Sequence, residues 1–221
     1  QDLSREKKAL VIGATGLIGR ELVKLVSQSD YYRTIYVLVR REAGLDSDKI
    51  EEIIANFDDL EESLKSIQAD DVYNCLGTTM KKAGSKEEFH KVDFSYPIHI
   101  ARIMKKKGSG TFLNVSALGA KKDSIIFYNR VKGELEAALQ DTGFSSLIIF
   151  RPSLLLGERN EKRTGEDIAK RTYKTLDKIF IGPLKKYSGI KGKTVAHAMF
   201  EMAKRKPQGL TILESDKIKE V

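Results

Sequence analysis

The sequence predicts an α/β fold: a doubly wound parallel sheet with helices on both faces. Three observations carry this reading. Short apolar runs such as "KKALVIGA", "TIYVLVRR" and "SLIIFRPS" alternate with amphipathic stretches of helical period. The centres of these runs are continuously apolar and rich in β-branched residues, as strands covered on both faces are. The first run leads through a glycine-rich turn directly into a helical pattern, the opening of a βαβ unit.

The elements follow in order. After the strand "KKALVIGA", the stretch "LIGRELVKLVSQS" sets Leu17, Ile18, Leu22, Leu25 and Val26 at helical spacing. "TIYVLVRR" is the second strand and "KIEEIIA" a third, before a helix near "DLEESLKSI" and the strand "DVYNCLG". A long helix is expected from about Ser85 to Lys107, then the strand "GTFLNVSA", a helix containing "FYNRVKGELEAA" and the strand "SLIIFRPS". Beyond Ser153 the alternation loosens. Helices near 166 to 180 and 193 to 205 precede a last strand "LTILES". No linker or internal repeat divides the 221 residues, so residues 1–221 are read as one domain, with 157–206 as a small cap on the substrate side.

Composition excludes several classes. The longest apolar runs fall far short of the roughly 20 residues a bilayer-spanning helix needs, so no membrane association is expected. The polar start "QDLSREKK" lacks a secretory signal's apolar region, so a cytoplasmic location is expected. Cys75 is the one cysteine, and His90, His99 and His197 are scattered, so no metal site is expected; His99 is read as a packed helix residue. A net charge of +8 suits an anionic ligand. Its lysine clusters lack interleaved aromatics and a recognition helix, which argues against nucleic acid.

"GATGLIG" places Gly13, Gly16 and Gly19 between the first strand and first helix, the position at which this spacing binds a dinucleotide in a Rossmann-type fold. Gly13 allows the sharp turn, Gly16 a close approach of the backbone to a diphosphate, and Gly19 tight packing of helix on sheet. Helix amides around Thr15 to Ile18 face the anion with the positive end of the dipole, and Thr15 adds a hydroxyl. At the end of the second strand, where NAD-binding folds commonly carry an acidic residue, stand Arg40 and Arg41. Guanidinium groups suit a 2′-phosphate, so NADP(H) is favoured over NAD(H); an ordinary arginine surface is the alternative.

Tyr128 and Lys132 lie four apart, on one face of a helix. A free tyrosine ionises only near pH ~10, and a neighbouring ammonium stabilises the phenolate, which makes a usable acid or base. Ser116 closes the preceding strand, twelve residues upstream. Together they suit hydride transfer to a carbonyl: Tyr128 protonates the oxygen, Ser116 hydrogen-bonds it, and Lys132 holds the nicotinamide ribose.

"GATGLIG", Ser116 and "YNRVK" together resemble a short-chain dehydrogenase/reductase. "NFDDL", "CLGTT", "KAGSKEEF", "VKGELEAAL" and "FRPSLLLGER", in this order, are similar to its atypical, Tat-interacting oxidoreductase-like branch and that branch's bacterial relatives, over about residues 8 to 215. The resemblance implies NADPH bound with Gly13, Thr15, Gly16, Leu17, Ile18 and Gly19 on the diphosphate and Arg40 and Arg41 near the 2′-phosphate. It further implies Phe57 and Asp58 beside the adenine, and Cys75, Leu76, Gly77 and Thr78 beneath the adenine ribose and nicotinamide. Arg151, Pro152, Ser153 and Leu154 would pass the carboxamide; Pro152 is equally a strand-end stop. Many relatives hold a relay water on a long-helix asparagine, where this chain has Asp93.

The expected function is thus NADPH-dependent reduction of a small carbonyl-like substrate. A regulatory NADPH-binding protein with little turnover and a protein partner is the alternative, which Asp93 favours. Monomer and homodimer both stay open, because the long helices carry many charges.

Overall fold

The computed structural model describes residues 6–156 and 188–221. The predicted helix at 166–180 and most of the cap at 157–206 therefore lie outside the described residues.

The strands are β1 (Lys8–Ile12), β2 (Thr34–Val39), β3 (Ile50–Ile54), β4 (Asp71–Asn74), β5 (Thr111–Val115), β6 (Ser146–Arg151), a short β7 (Leu155–Leu156) and β8 (Ile190–Lys191), and β9 (Gly209–Glu214). Seven form one sheet in the order β3-β2-β1-β4-β5-β6-β9, with every pairing parallel. β7 and β8 pair separately. The chain winds outward from β1 to β3, then returns to the other side of β1. The strand order therefore reverses between β1 and β4, and the crevice beyond their carboxyl ends is where such sheets take ligands.

The sheet is covered on both faces, and side-chain alternation builds the two halves of the core. Ala9, Val11, Ile35, Val37, Leu113 and Ile148 face one side, where α1 (Leu17–Ser27) contributes Leu22 and Val26 and α7 (Gly192–Arg205) contributes Val195 and Met199. Leu10, Ile12, Leu38, Val72, Phe112 and Ile149 face the other, against Ile100 and Met104 of α5 (Tyr96–Lys106) and Leu135 and Leu139 of α6 (Phe127–Gln140). The central strands β1, β2, β4, β5 and β6 thus feed both layers, the physical reason their sequences read as continuously apolar, whereas the edge strands β3 and β9 are partly exposed.

The structure differs from expectation in four places. The helix near "DLEESLKSI" shrinks to one turn, α2 (Leu60–Ser63), capped by Asp59, whose carboxylate accepts from the Glu62 amide. Leu60, Leu64 and Ile67 still bury at helical spacing, but the chain continues beyond Ser63 as turns. The long helix is divided into α4 (Lys86–His90), a π-turn at Lys91–Ser95, and α5, preceded by a separate turn, α3 (Met80–Ala83). Pro97 explains the division: it has no N–H for the carbonyl four residues back, and its ring crowds that carbonyl. A last helix, α8 (Ser215–Glu220), follows β9. His99, expected to pack, is half-exposed and faces Glu61 at 3.7 Å.

Candidate active site

The turn after β1 has the geometry its glycines imply. Gly13 has φ +78°, and a Cβ on it would lie 2.5 Å from the Cys75 backbone carbonyl. A Cβ on Gly19 would run into the Gly13 carbonyl oxygen, so only glycine lets α1 sit this close to the turn. The Gly16 amide donates to the Gly13 carbonyl at 3.2 Å, closing the turn. No side chain caps α1 and no acidic residue stands in its first turn, so its amide end faces the crevice with its positive potential unopposed. Thr15 and Gly16 are exposed; Leu17 is half-buried, and Ile18 is a core residue that serves the site only through its backbone.

One flank of the crevice is aromatic and charged. Arg40 and Arg41 are exposed just past β2, and the Arg40 guanidinium lies 5.4 Å from the centre of the Phe57 ring. Phe57 meets Tyr96 edge-on at 5.0 Å. Asp58 bonds Lys91 at 2.9 Å, and Lys91 lies over the Tyr96 ring. Its bond to Lys91 and that residue's charge hold the Asp58 carboxyl below the usual carboxylate range, and Asp58 raises Lys91 in turn. The sequence named Arg40, Phe57 and Asp58 but not Lys91, which the π-turn presents to them, or Tyr96, the first residue of α5.

Beneath the glycine turn lies the loop after β4. Cys75 is partly buried with its sulfur 4.0 Å from the Met199 sulfur, and burial pushes its thiol up to about 12, so it is no nucleophile at neutral pH. The Leu76 amide donates to Asn74, whose side chain donates to Asn114 at 2.7 Å, a buried pair bridging β4 and β5. The Thr78 amide donates to Asp93 at 2.8 Å.

Asp93 is fully buried in the π-turn and pairs with Lys132 at 2.7 Å. Burial opposes the Lys132 charge, but Asp93, Tyr128 and Glu136 outweigh it and raise the lysine above its usual range. A Cβ on Gly77 would lie 3.4 Å from the Asp93 carboxylate and 3.6 Å from the Lys132 ammonium, so the bare glycine leaves the pair its space. The ammonium lies 5.9 Å from the centre of the Tyr128 ring, which is 38% exposed at the crevice and leans on Phe89. The structure therefore brings Tyr128, Lys132, Gly77 and Thr78 together, with Asp93 a direct partner of the lysine.

Ser116 is arranged differently. It is buried, and its hydroxyl donates at 2.5 Å to Glu136, which accepts two further bonds from Arg151 at 3.0 and 2.6 Å. An ion-paired carboxylate only accepts, so this hydroxyl proton is spent on Glu136. Arg151, expected along the carboxamide, directs its side chain to Glu136. Glu136 is four residues beyond Lys132, a spacing that marks it as a neighbour once Lys132 is chosen. Pro152 accepts from the Leu118 amide at 3.0 Å. The Ser153 amide donates to Ser215 at 2.6 Å and its hydroxyl to the Ser188 carbonyl; Leu154 is half-exposed and accepts from Ile190 at 3.0 Å. These contacts fasten the segment after β6 to the C-terminal part of the fold.

Comparison with known proteins accords with this geometry. Residues 9–126 match the model of the NAD dependent epimerase/dehydratase family. The chain belongs to that family. Protein HTATIP2 of Rattus norvegicus is 32% identical over 176 residues, 78% of this chain and 72% of the relative. Mitochondrial protein FMP52 of Candida albicans is 35% identical over 173 residues, 72% of each chain. The first of these bears out the Tat-interacting resemblance read from the motifs. Among solved structures, the Bordetella bronchiseptica enzyme WbmH in complex with NAD+ superposes with TM-score 0.70 at 16% identity, covering 98% of this chain and 79% of that one. The oxidoreductase ylbE from Lactococcus lactis superposes with TM-score 0.67 at 19% identity, covering 96% and 95%. This family member therefore shares the fold of these neighbours.

Proposed function

We propose that this family member binds NADPH in the crevice between β1 and β4 and reduces a small carbonyl substrate. The observation that carries the reading is a convergence: the uncapped amide end of α1 and the Tyr128–Lys132 face of α6 address the same strand ends. The residues fit a dinucleotide. The turn is too tight for a side chain at Gly13 or Gly19, and Arg40 stacked on Phe57 offers a cation to a 2′-phosphate. The NAD-bound neighbours support a nicotinamide cofactor.

When bound, the cofactor supplies a hydride to the carbonyl carbon. Tyr128, exposed at the crevice, delivers the proton to the carbonyl oxygen. Lys132 holds the ribose beside it, itself fixed by Asp93. Ser116 supports the oxygen only when its hydroxyl turns from Glu136, so ground-state alignment falls chiefly to Tyr128. The test is Tyr128→Phe against wild type, each given NADPH and a panel of aldehydes and ketones. Loss of the phenol is expected to lower turnover about 100-fold or more; equal rates of NADPH oxidation would remove Tyr128 from the chemistry.

A second reading, an NADPH-binding regulatory protein, is favoured by the balanced charge at Lys132 and the engaged hydroxyl of Ser116. Tight NADPH binding without turnover of any carbonyl in the panel would select it.

A further inference from the structure

The Asp93–Lys132 pair is unusual in where it sits. Side-chain exposure is 0% for Asp93 and 6% for Lys132, and the second carboxylate oxygen of Asp93 is held by the Thr78 amide. Glu136, the other carboxylate near Lys132, already carries Arg151 and Ser116. Asp93 is therefore the group that balances the buried ammonium, and Glu136 with Arg151 forms a separate balanced pair.

We propose that Asp93, acting through Lys132, sets which redox state of the nicotinamide cofactor this crevice holds more tightly, raising affinity for the oxidised form relative to the reduced form. The inference rests on the cofactor reading above. An oxidised nicotinamide ring carries a positive charge and a reduced ring carries none. A lone buried ammonium beside the ribose repels the first and is indifferent to the second, and the interaction is strong because the site is poorly screened. Asp93 cancels that repulsion. It is a positioning and charge-setting residue, and the π-turn before Pro97 is the device that brings it to Lys132.

The experiment measures dissociation constants of NADP+ and NADPH, by calorimetry at pH 7, for the wild-type chain, Asp93→Asn, and the double variant Asp93→Asn/Lys132→Met. Asparagine keeps an acceptor for the Thr78 amide, so the loop has the same anchor. Asp93→Asn is expected to raise the ratio of the NADP+ constant to the NADPH constant about tenfold. The double variant, neutral again, is expected to return the ratio toward wild type although both nucleotides bind more weakly. A residue that only supports the scaffold would weaken both nucleotides alike. An unchanged ratio in Asp93→Asn, or a raised ratio that persists in the double variant, overturns the proposal. Should Asp93→Asn fail to fold, Asp93→Ser makes the same charge change and is read in the same way. Wild-type protein that binds neither nucleotide would overturn the cofactor reading itself, a result distinct from an unchanged ratio.

Discussion

Lys206 is the one described residue other than glycine with positive φ, at +46°, and it holds this conformation at the end of α7 with its ammonium 2.8 Å from Asp71. Asp71 is fully buried, and its other oxygen accepts from Tyr32, whose hydroxyl lies 2.7 Å from that of Tyr73. Burial, with Tyr73 and Asp71 nearby, pushes Tyr32 well above its ordinary range; burial and Asp71 do the same to Tyr73 against the opposing effect of its bond with Tyr32. Lys206→Met would leave a buried carboxylate without its cation. Removing one partner of a fully buried pair costs about 3–5 kcal/mol; because the lysine side chain is 31% exposed, a loss of about 2–3 kcal/mol is expected. Urea unfolding checks it, and a midpoint within error of wild type would show that Tyr32 alone suffices. At this scale the sequence revealed types better than partners. Tyr128 and Lys132 were legible because helix geometry relates them locally, whereas Asp93, 39 positions before Lys132, becomes its partner only through tertiary folding. Ser116 was legible by spacing from Tyr128, but nothing local indicates that its proton goes to Glu136.

Elements were legible where packing supplies a strong period. The five central strands β1, β2, β4, β5 and β6, together with α1, α6 and α7, follow their apolar patterns because each is covered by the opposing layer. The π-turn was not, since a hydrophobic pattern shifts by only one residue there and Pro97 alone hints at it. The two-residue strands β7 and β8 are too short to carry any period. Between β2 and β3 the Glu52 side chain anchors the loop, accepting from the Ala43 and Leu45 amides, each at 2.7 Å. Those bonds hold its carboxyl below the ordinary carboxylate range. A lowered folded value means that the contribution to stability is present above the unfolded value of about 4.3 and is lost as pH falls through the folded one. Amide chemical shifts of Ala43 and Leu45 are therefore expected to titrate together with a midpoint below about 4.3. A midpoint at or above that value would mean that the carboxylate does not anchor the loop in solution.

For the whole molecule, the reversal of winding between β1 and β4 collects the glycine turn, the β4 loop and the start of α6 at one end of the sheet. A ligand bound there bridges segments that are distant in sequence and stabilises the entire fold. At 100 times its dissociation constant, NADPH should add about 2.7 kcal/mol, a rise of roughly 5–10 °C in melting temperature for a chain of this size. NADH at the same concentration is expected to raise it less, because Arg40 and Arg41 meet no 2′-phosphate; an equal rise would assign these arginines to the surface. On the floor of that crevice the chain's one sulfhydryl, lodged against a methionine and pushed up by burial, stays protonated at neutral pH and so offers no thiolate to an oxidant or an alkylating reagent.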